Sequence, residues 1–342
     1  MMEQIKAQMG DDSSENLKKV RDFSMTLRGE ENAEELLEAL AEYAYTLVPE
    51  EERSFLEKTT FAAGKRMDQT FADAQKCIDA GDWKGAEKLM TAISETIAAG
   101  FENGSQTWFS FRNPFEYHLY RTMYPEQTEF ERAPFDFAHY LETYSYVLVN
   151  TGDLPAALDA IHRAEKFNPV TADILFEHIE ICKLVRDTQG VLTLSRRAME
   201  LATTADRMAR TCANLGWYCT EIGEVYAAAV FYFQSLRFRS SRAVETELQD
   251  VMRRMKTLGI RFAPPSDAVT ADIFNKYAVI VPPNSNLVNL ALVLAKQAAD
   301  YDRPELEGLF YRVAWDMTNN AEFKAELDRI DAGIAKRKAE AQ

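Results

Sequence analysis

The sequence predicts an all-α fold, a solenoid of antiparallel helical hairpins with extra N- and C-terminal helices. Three observations carry that expectation. Apolar residues recur at three- and four-residue spacing along most of the chain, the period of an amphipathic helix. Eleven prolines and fourteen glycines in 342 residues are few, and the Ala-, Glu-, Leu- and Lys-rich stretches between them favour helix over strand. A glycine-acid pair also recurs between helical patterns, at Gly81-Asp82, Gly152-Asp153 and Gly223-Glu224.

Composition narrows the function classes. A hydrophobic content of 46% is ample for a core. The net charge of -15 opposes any general affinity for nucleic acid or an anionic membrane. Cys77, Cys182, Cys212 and Cys219 form no CxxC pair and no secreted framework, so reduced thiols in a cytoplasmic protein are expected. The stretch Met1 to Lys6 has no signal-peptide apolar region, and the longest apolar runs, such as Ala227 to Phe233, are too short to span a bilayer.

Residues 1–58 are read as acidic N-terminal helices, with fifteen Asp and Glu against seven Lys and Arg. Asp11-Asp12-Ser13-Ser14 supplies caps for a helix carrying Leu17, Val20, Phe23 and Leu27, and a second helix runs from about Asn32 to Leu47. Its acidic residues are read as a solvated face. Residues 59–100 form a helical hairpin whose first arm takes in Phe61, Met67, Phe71 and Cys77 and whose second takes in Ala86, Leu89, Met90 and Ile93. Gly64-Lys65 is not a phosphate loop, since position 59 is Thr and no strand precedes it.

Residues 101–137 are an aromatic-rich connector, broken by Gly104, Pro114, Pro125 and Pro134 and dense in rings from Trp108 to Phe137. Such rings either pack on neighbouring helices, the expected outcome, or line a pocket. The second option gives an alternative function, a small-ligand receptor or enzyme built on segment 108–146. Residues 138–240 hold about three repeat units. Thr171-Ala172-Asp173 returns as Thr204-Ala205-Asp206 33 residues later, and Asn168-Pro169 closes the first unit. Residues 241–342 complete the chain as C-terminal hairpins. Within them Asn284 caps a helix with Leu287, Ala291 and Leu294, and Pro304 opens another with Leu306, Phe310 and Met317; this pair is expected to close the apolar end of the array. The basic stretch 237–262 is read as solvated.

The repeat block resembles the tetratricopeptide repeat family, whose helical hairpins place small residues and a closing proline at set positions. Counted from Pro169, Ala157, Ile161 and Ala164 match in the first unit, and Leu215, Gly216, Ala228 and Tyr232 match in the third. The middle unit keeps Ala198 but has Val191 and Ser195 where alanine and an aromatic are usual. As a whole the chain is similar to bacterial repeat-containing proteins with no assigned activity. The resemblance implies a concave groove lined by the first helix of each unit, and a protein or peptide partner lying across it. It also implies that Arg210 with Asn214, a basic residue followed four later by Asn, would grip a peptide carboxylate, for which a guanidinium is suited.

No residue sits in a recognisable catalytic, cofactor or metal setting. His178 and Cys182 share an i, i+4 spacing but lack further ligands nearby in sequence, so they are read as an ordinary helix-face pair. The candidate site is therefore the groove. Arg210, Asn214, Trp217 and Glu221 share one helix face, while Cys212, Leu215, Cys219 and Ile222 share another that must be core. The preceding units contribute Phe176 and Glu177, and His139 and Tyr146. Trp217, Tyr146 and Phe176 are the expected aromatic anchors. The competing arrangement is Arg210 paired with Glu177 or a neighbouring acid.

Overall fold

The computed structural model describes residues 2–10, 12–27 and 33–340. Near the N-terminus α1 (Met2–Lys6), α2 (Ser13–Thr26) and α3 (Ala33–Leu47) close around Ile5, Val20, Leu27 and Leu40. Asp12 caps α2, accepting from the amides of Ser14 and Glu15. Asp11 and the expected helix start at Asn32 lie outside the described residues. Helix α4 (Glu50–Thr60) packs on the second arm of the first repeat hairpin.

Between α4 and that hairpin runs a short antiparallel ribbon, β1 (Phe61–Ala62) and β2 (Lys65–Arg66). Ala63 and Gly64 both take positive φ there, which no helix permits. Phe61 therefore lies in a strand and not in the first arm, which begins only with α5 (Met67–Asp79) and turns into α6 (Trp83–Ile97).

A segment containing β3 (Trp108–Phe109), α7 (Pro114–Met123) and β4 (Glu131–Arg132) interrupts the array. Stacking resumes with α8 (Phe137–Thr151) and α9 (Leu154–Phe167), α10 (Ala172–Leu184) and α11 (Thr188–Glu200), then α12 (Ala205–Glu221) and α13 (Val225–Phe238). Each hairpin packs on the next, α6 on α8, α9 on α10 and α11 on α12. This is the solenoid that the sequence predicts.

One device turns all four hairpins. The amide of Asp82, Asp153, Asp187 or Glu224 donates to a carbonyl five residues back, at Cys77, Leu148, Cys182 and Cys219 respectively, at 2.8 to 2.9 Å. This closure needs a left-handed residue just before the acid. Gly81, Gly152 and Gly223 supply it freely, and in the middle unit Arg186 is held at φ 59° instead. The three aspartates then cap the second helices, each accepting from an amide three residues on.

Close packing explains the small residues. A Cβ at Gly216 would lie 2.6 Å from Tyr232 Cδ1, so α12 and α13 touch only because position 216 has none. Ala227, Ala228 and Ala229 on α13 are all buried. Helix α10 lies between the two large cores, sending Leu175, Phe176, Ile179 and Cys182 into one and Ile174 and Ile181 into the other.

Beyond α13, α14 (Arg242–Thr257) and α15 (Asp267–Lys276) cover it. The expected end-closing hairpin, α16 (Ser285–Asp300) and α17 (Pro304–Thr318), followed by α18 (Ala321–Glu340), turns back along the array, placing α17 against α12 and α16 against α7. Carbonyls at or just past the ends of the second helices meet donors from other elements. Ser110 N donates to Phe167 O at 2.8 Å, Arg197 Nη2 to Pro169 O at 2.9 Å, and Asn284 Nδ2 to Glu200 O at 2.9 Å. Helix C-termini leave such groups unpaired, so one anchors the interrupting segment through Ser110 and another the returning chain through Asn284.

Candidate functional site

The first helices α5, α8, α10 and α12 present successive faces to one side of the array. A cavity of about 500 Å³ opens there, floored by His139, Glu142, Thr143 and Tyr146 of α8, Asp173 and Glu177 of α10, and Gln75 and Ile78 of α5. Three predicted site residues, His139, Tyr146 and Glu177, are thus brought together. Tyr146 is 45% exposed, its ring meeting Trp83 edge-on at 5.7 Å. His139 is exposed, with Nδ1 3.3 Å from Glu142 Oε2.

Arg112 enters from the interrupting segment and closes the cavity wall. Its guanidinium donates to Glu142 Oε2 at 2.7 Å and to Asp173 Oδ2 at 3.0 Å, with Asp136 3.7 Å away. Asp173 is shared with Arg207, which grips both carboxylate oxygens at 2.9 and 2.6 Å. Burial alone would raise the Asp173 carboxyl, but the hydrogen bonds from Arg207 and the charges of Arg207 and Arg112 hold it below its ordinary range.

Farther along, Arg210 Nη2 donates to Glu177 Oε1 at 3.0 Å, and its guanidinium lies 4.7 Å over the Phe176 ring. Arg210 is therefore engaged by an acid of the protein itself. Phe176, expected as an aromatic anchor, is 2% exposed and belongs to the core beneath that guanidinium. The correction has a physical cause: α10 is flanked by core on two sides, and Phe176 belongs to one of those two cores.

Asn214 is 3% exposed and accepts from Lys183 Nζ through Oδ1 at 2.7 Å. An ammonium only donates, so this bond fixes the amide's orientation. Its Nδ2 is left buried without an acceptor. Lys183 also pairs with Glu180 at 2.9 Å and lies 5.7 Å over the half-buried Trp217 ring. Glu221 is exposed at the end of α12.

Arg112, Lys183 and Arg207 were not singled out from the sequence. Arg207 lies three residues before Arg210 on the same helix, and that spacing is a signal for it. Arg112 carries no local signal, because its partners lie 24 to 61 residues away.

Elsewhere, His178 Nδ1 meets Glu165 Oε1 at 2.6 Å. Among the described residues no three or more His, Cys, Asp or Glu are grouped to hold a metal, and no helix is long and apolar enough to cross a membrane. Arg237, Arg239 and Arg253 of the basic stretch pair with Asp267, Asp206 and Asp250.

No protein-family model matches the chain, and no curated protein matches its sequence. Among solved structures it is similar to PilF of Pseudomonas aeruginosa, at 11% identity and a TM-score of 0.41, over 77% of this chain and 96% of that one.

Proposed function

We propose that this chain is a tetratricopeptide-type interaction module that docks an extended peptide segment of a partner protein along the concave face of α5, α8, α10 and α12. The observation that carries the reading is the cavity on the first-helix faces, where His139, Tyr146 and Glu177 come together and Tyr146 stays 45% exposed. Tyr146 there, and the half-buried Trp217 farther along, offer ring surface for a peptide's side chains. A terminal-carboxylate clamp on Arg210 is not part of the proposal, because Glu177 already neutralises that guanidinium. The four cysteines, all free thiols, support a reducing cytoplasmic setting.

The test is selection from a random peptide library on the wild type, with Tyr146→Ala/Trp217→Ala as comparison. Peptides enriched by the wild type are expected to lose at least ~10-fold in affinity for the variant, consistent with removal of two aromatic contacts. If a variant of unchanged helicity captures the same peptides equally well, the groove assignment fails.

A further inference from the structure

The interrupting segment builds a second cavity, of about 570 Å³, which shares only Arg112 with the peptide groove. Three short periodicities aim side chains into it. Phe109 and Phe111 are two apart and stack at 5.1 Å with 17° between their planes. Phe130 and Arg132 are likewise two apart at β4, which pairs in parallel with β3 so that Arg132 is registered opposite Phe109. Tyr117 and Arg121 are four apart on α7 and share a face. The rings form a connected wall, with Phe130 edge-on to Phe109 at 5.1 Å and to Phe111 at 6.1 Å, and Tyr117 at 6.0 Å from Phe130.

The rings of the aromatic segment divide between the core and the cavity wall, with Phe109 reaching both. Phe115, Tyr120 and Phe137 are buried in core, whereas Phe111 and Phe130 stay half-exposed and Tyr117 is 42% exposed around the cavity. Two of the three arginines that line it, Arg121 and Arg132, differ from the third, Arg112, which it shares with the groove. Arg112 and Arg207 are each held by carboxylates. The Arg132 side chain has no hydrogen-bond or ion-pair partner among the described residues, and Arg121 has only a long 3.4 Å contact with the carbonyl of Thr128. Two guanidiniums without acids, beside apolar walls in a chain of net charge -15, make an anion site with an apolar lining.

We propose that this cavity binds a small apolar or aromatic carboxylate, with its body against Phe109, Phe111, Tyr117 and Phe130 and its anionic end on Arg121 and Arg132. A carboxylate is favoured over a phosphate because the protein's negative field penalises a dianion more than a monoanion. A planar two-oxygen group also matches a guanidinium fork.

Calorimetric titration with 2-naphthoate, 2-naphthamide and 2-naphthyl phosphate tests the proposal. The wild type is expected to bind 2-naphthoate saturably at one site and the neutral amide at least ~10-fold more weakly, the scale of one charge-assisted hydrogen bond. Arg121→Ala/Arg132→Ala is expected to erase that preference, Phe130→Ala to weaken acid and amide alike, and Tyr146→Ala/Trp217→Ala to leave both unchanged, which separates this cavity from the peptide groove. No saturable binding of 2-naphthoate at millimolar concentration would overturn the proposal. So would equal binding of acid and amide by the wild type, a comparison that needs no variant to fold, or tighter binding of the phosphate.

Discussion

At the scale of single residues, the most consequential polar contacts join helices rather than decorate surfaces. His178 is buried against Glu165, and beside Cys182. Burial works against its charge, but the hydrogen bonds and charges of Cys182 and Glu165 override it and raise the imidazole to about 9. A folded-state value above the ordinary 6.5 means the stabilisation is complete below pH 6.5 and is lost as pH rises through about 9. Thermal unfolding from pH 6.5 to 9.5 should show a loss on the order of 2–3 kcal/mol in the wild type, and that component should vanish in His178→Gln. A wild-type profile as flat as the variant's would contradict the arrangement. The pair was visible in the sequence only as an i, i+4 spacing; Glu165, thirteen residues before His178, is the partner that gives it meaning.

At the scale of the element, the hairpin turn explains what could be read in advance. Gly81, Gly152 and Gly223 announce a left-handed residue, and those turns were legible. Arg186 announces nothing, although the Asp187-to-Cys182 backbone bond completes the same turn. The middle unit, which also has Val191 and Ser195 at positions where the family has alanine and an aromatic, thus gives no local sign of its turn. Forcing arginine into the left-handed region costs about 1–2 kcal/mol. Its side chain is exposed. Arg186→Gly should thus raise stability by ~0.5–1 kcal/mol in denaturant unfolding, the relief from strain outweighing the added chain entropy. Destabilisation would mean that the arginine serves a contact the turn geometry does not require. Phe176 failed as an anchor at this same scale, since one helix's periodicity does not reveal how many neighbours will cover it.

At the scale of the whole molecule, the interrupting segment and the returning C-terminal hairpin fasten along one edge of the array, while the groove remains on the faces of the first helices. Asn168 is central to that fastening. Its Nδ2 donates to the buried Glu116 carboxylate at 2.8 Å and to Ser110 O at 3.3 Å, and Glu116 also accepts from the Arg112 amide at 2.8 Å. Burial raises the Glu116 carboxyl against those donors. Its contribution is therefore most favourable below the ordinary carboxylate range and declines as pH rises through the raised value. Asn168→Ala removes one donor, so we expect a loss of about 2–3 kcal/mol at neutral pH and a smaller loss in acid, read from unfolding midpoints. An equal loss at both would show that Glu116 is not the group affected. None of these long-range ties has a local pattern, which is why the helices were legible and their assembly was not.

The central claim is that a partner peptide lies across the first-helix faces. A photo-crosslinking residue placed at Tyr146, and separately at Tyr301, which is 79% exposed on the returning C-terminal hairpin, tests it most directly with a peptide selected on the wild type. Crosslinking at Tyr146 that excess unlabelled peptide abolishes, with none at Tyr301, is the expected result. Crosslinking at Tyr301 and none at Tyr146 would contradict the account.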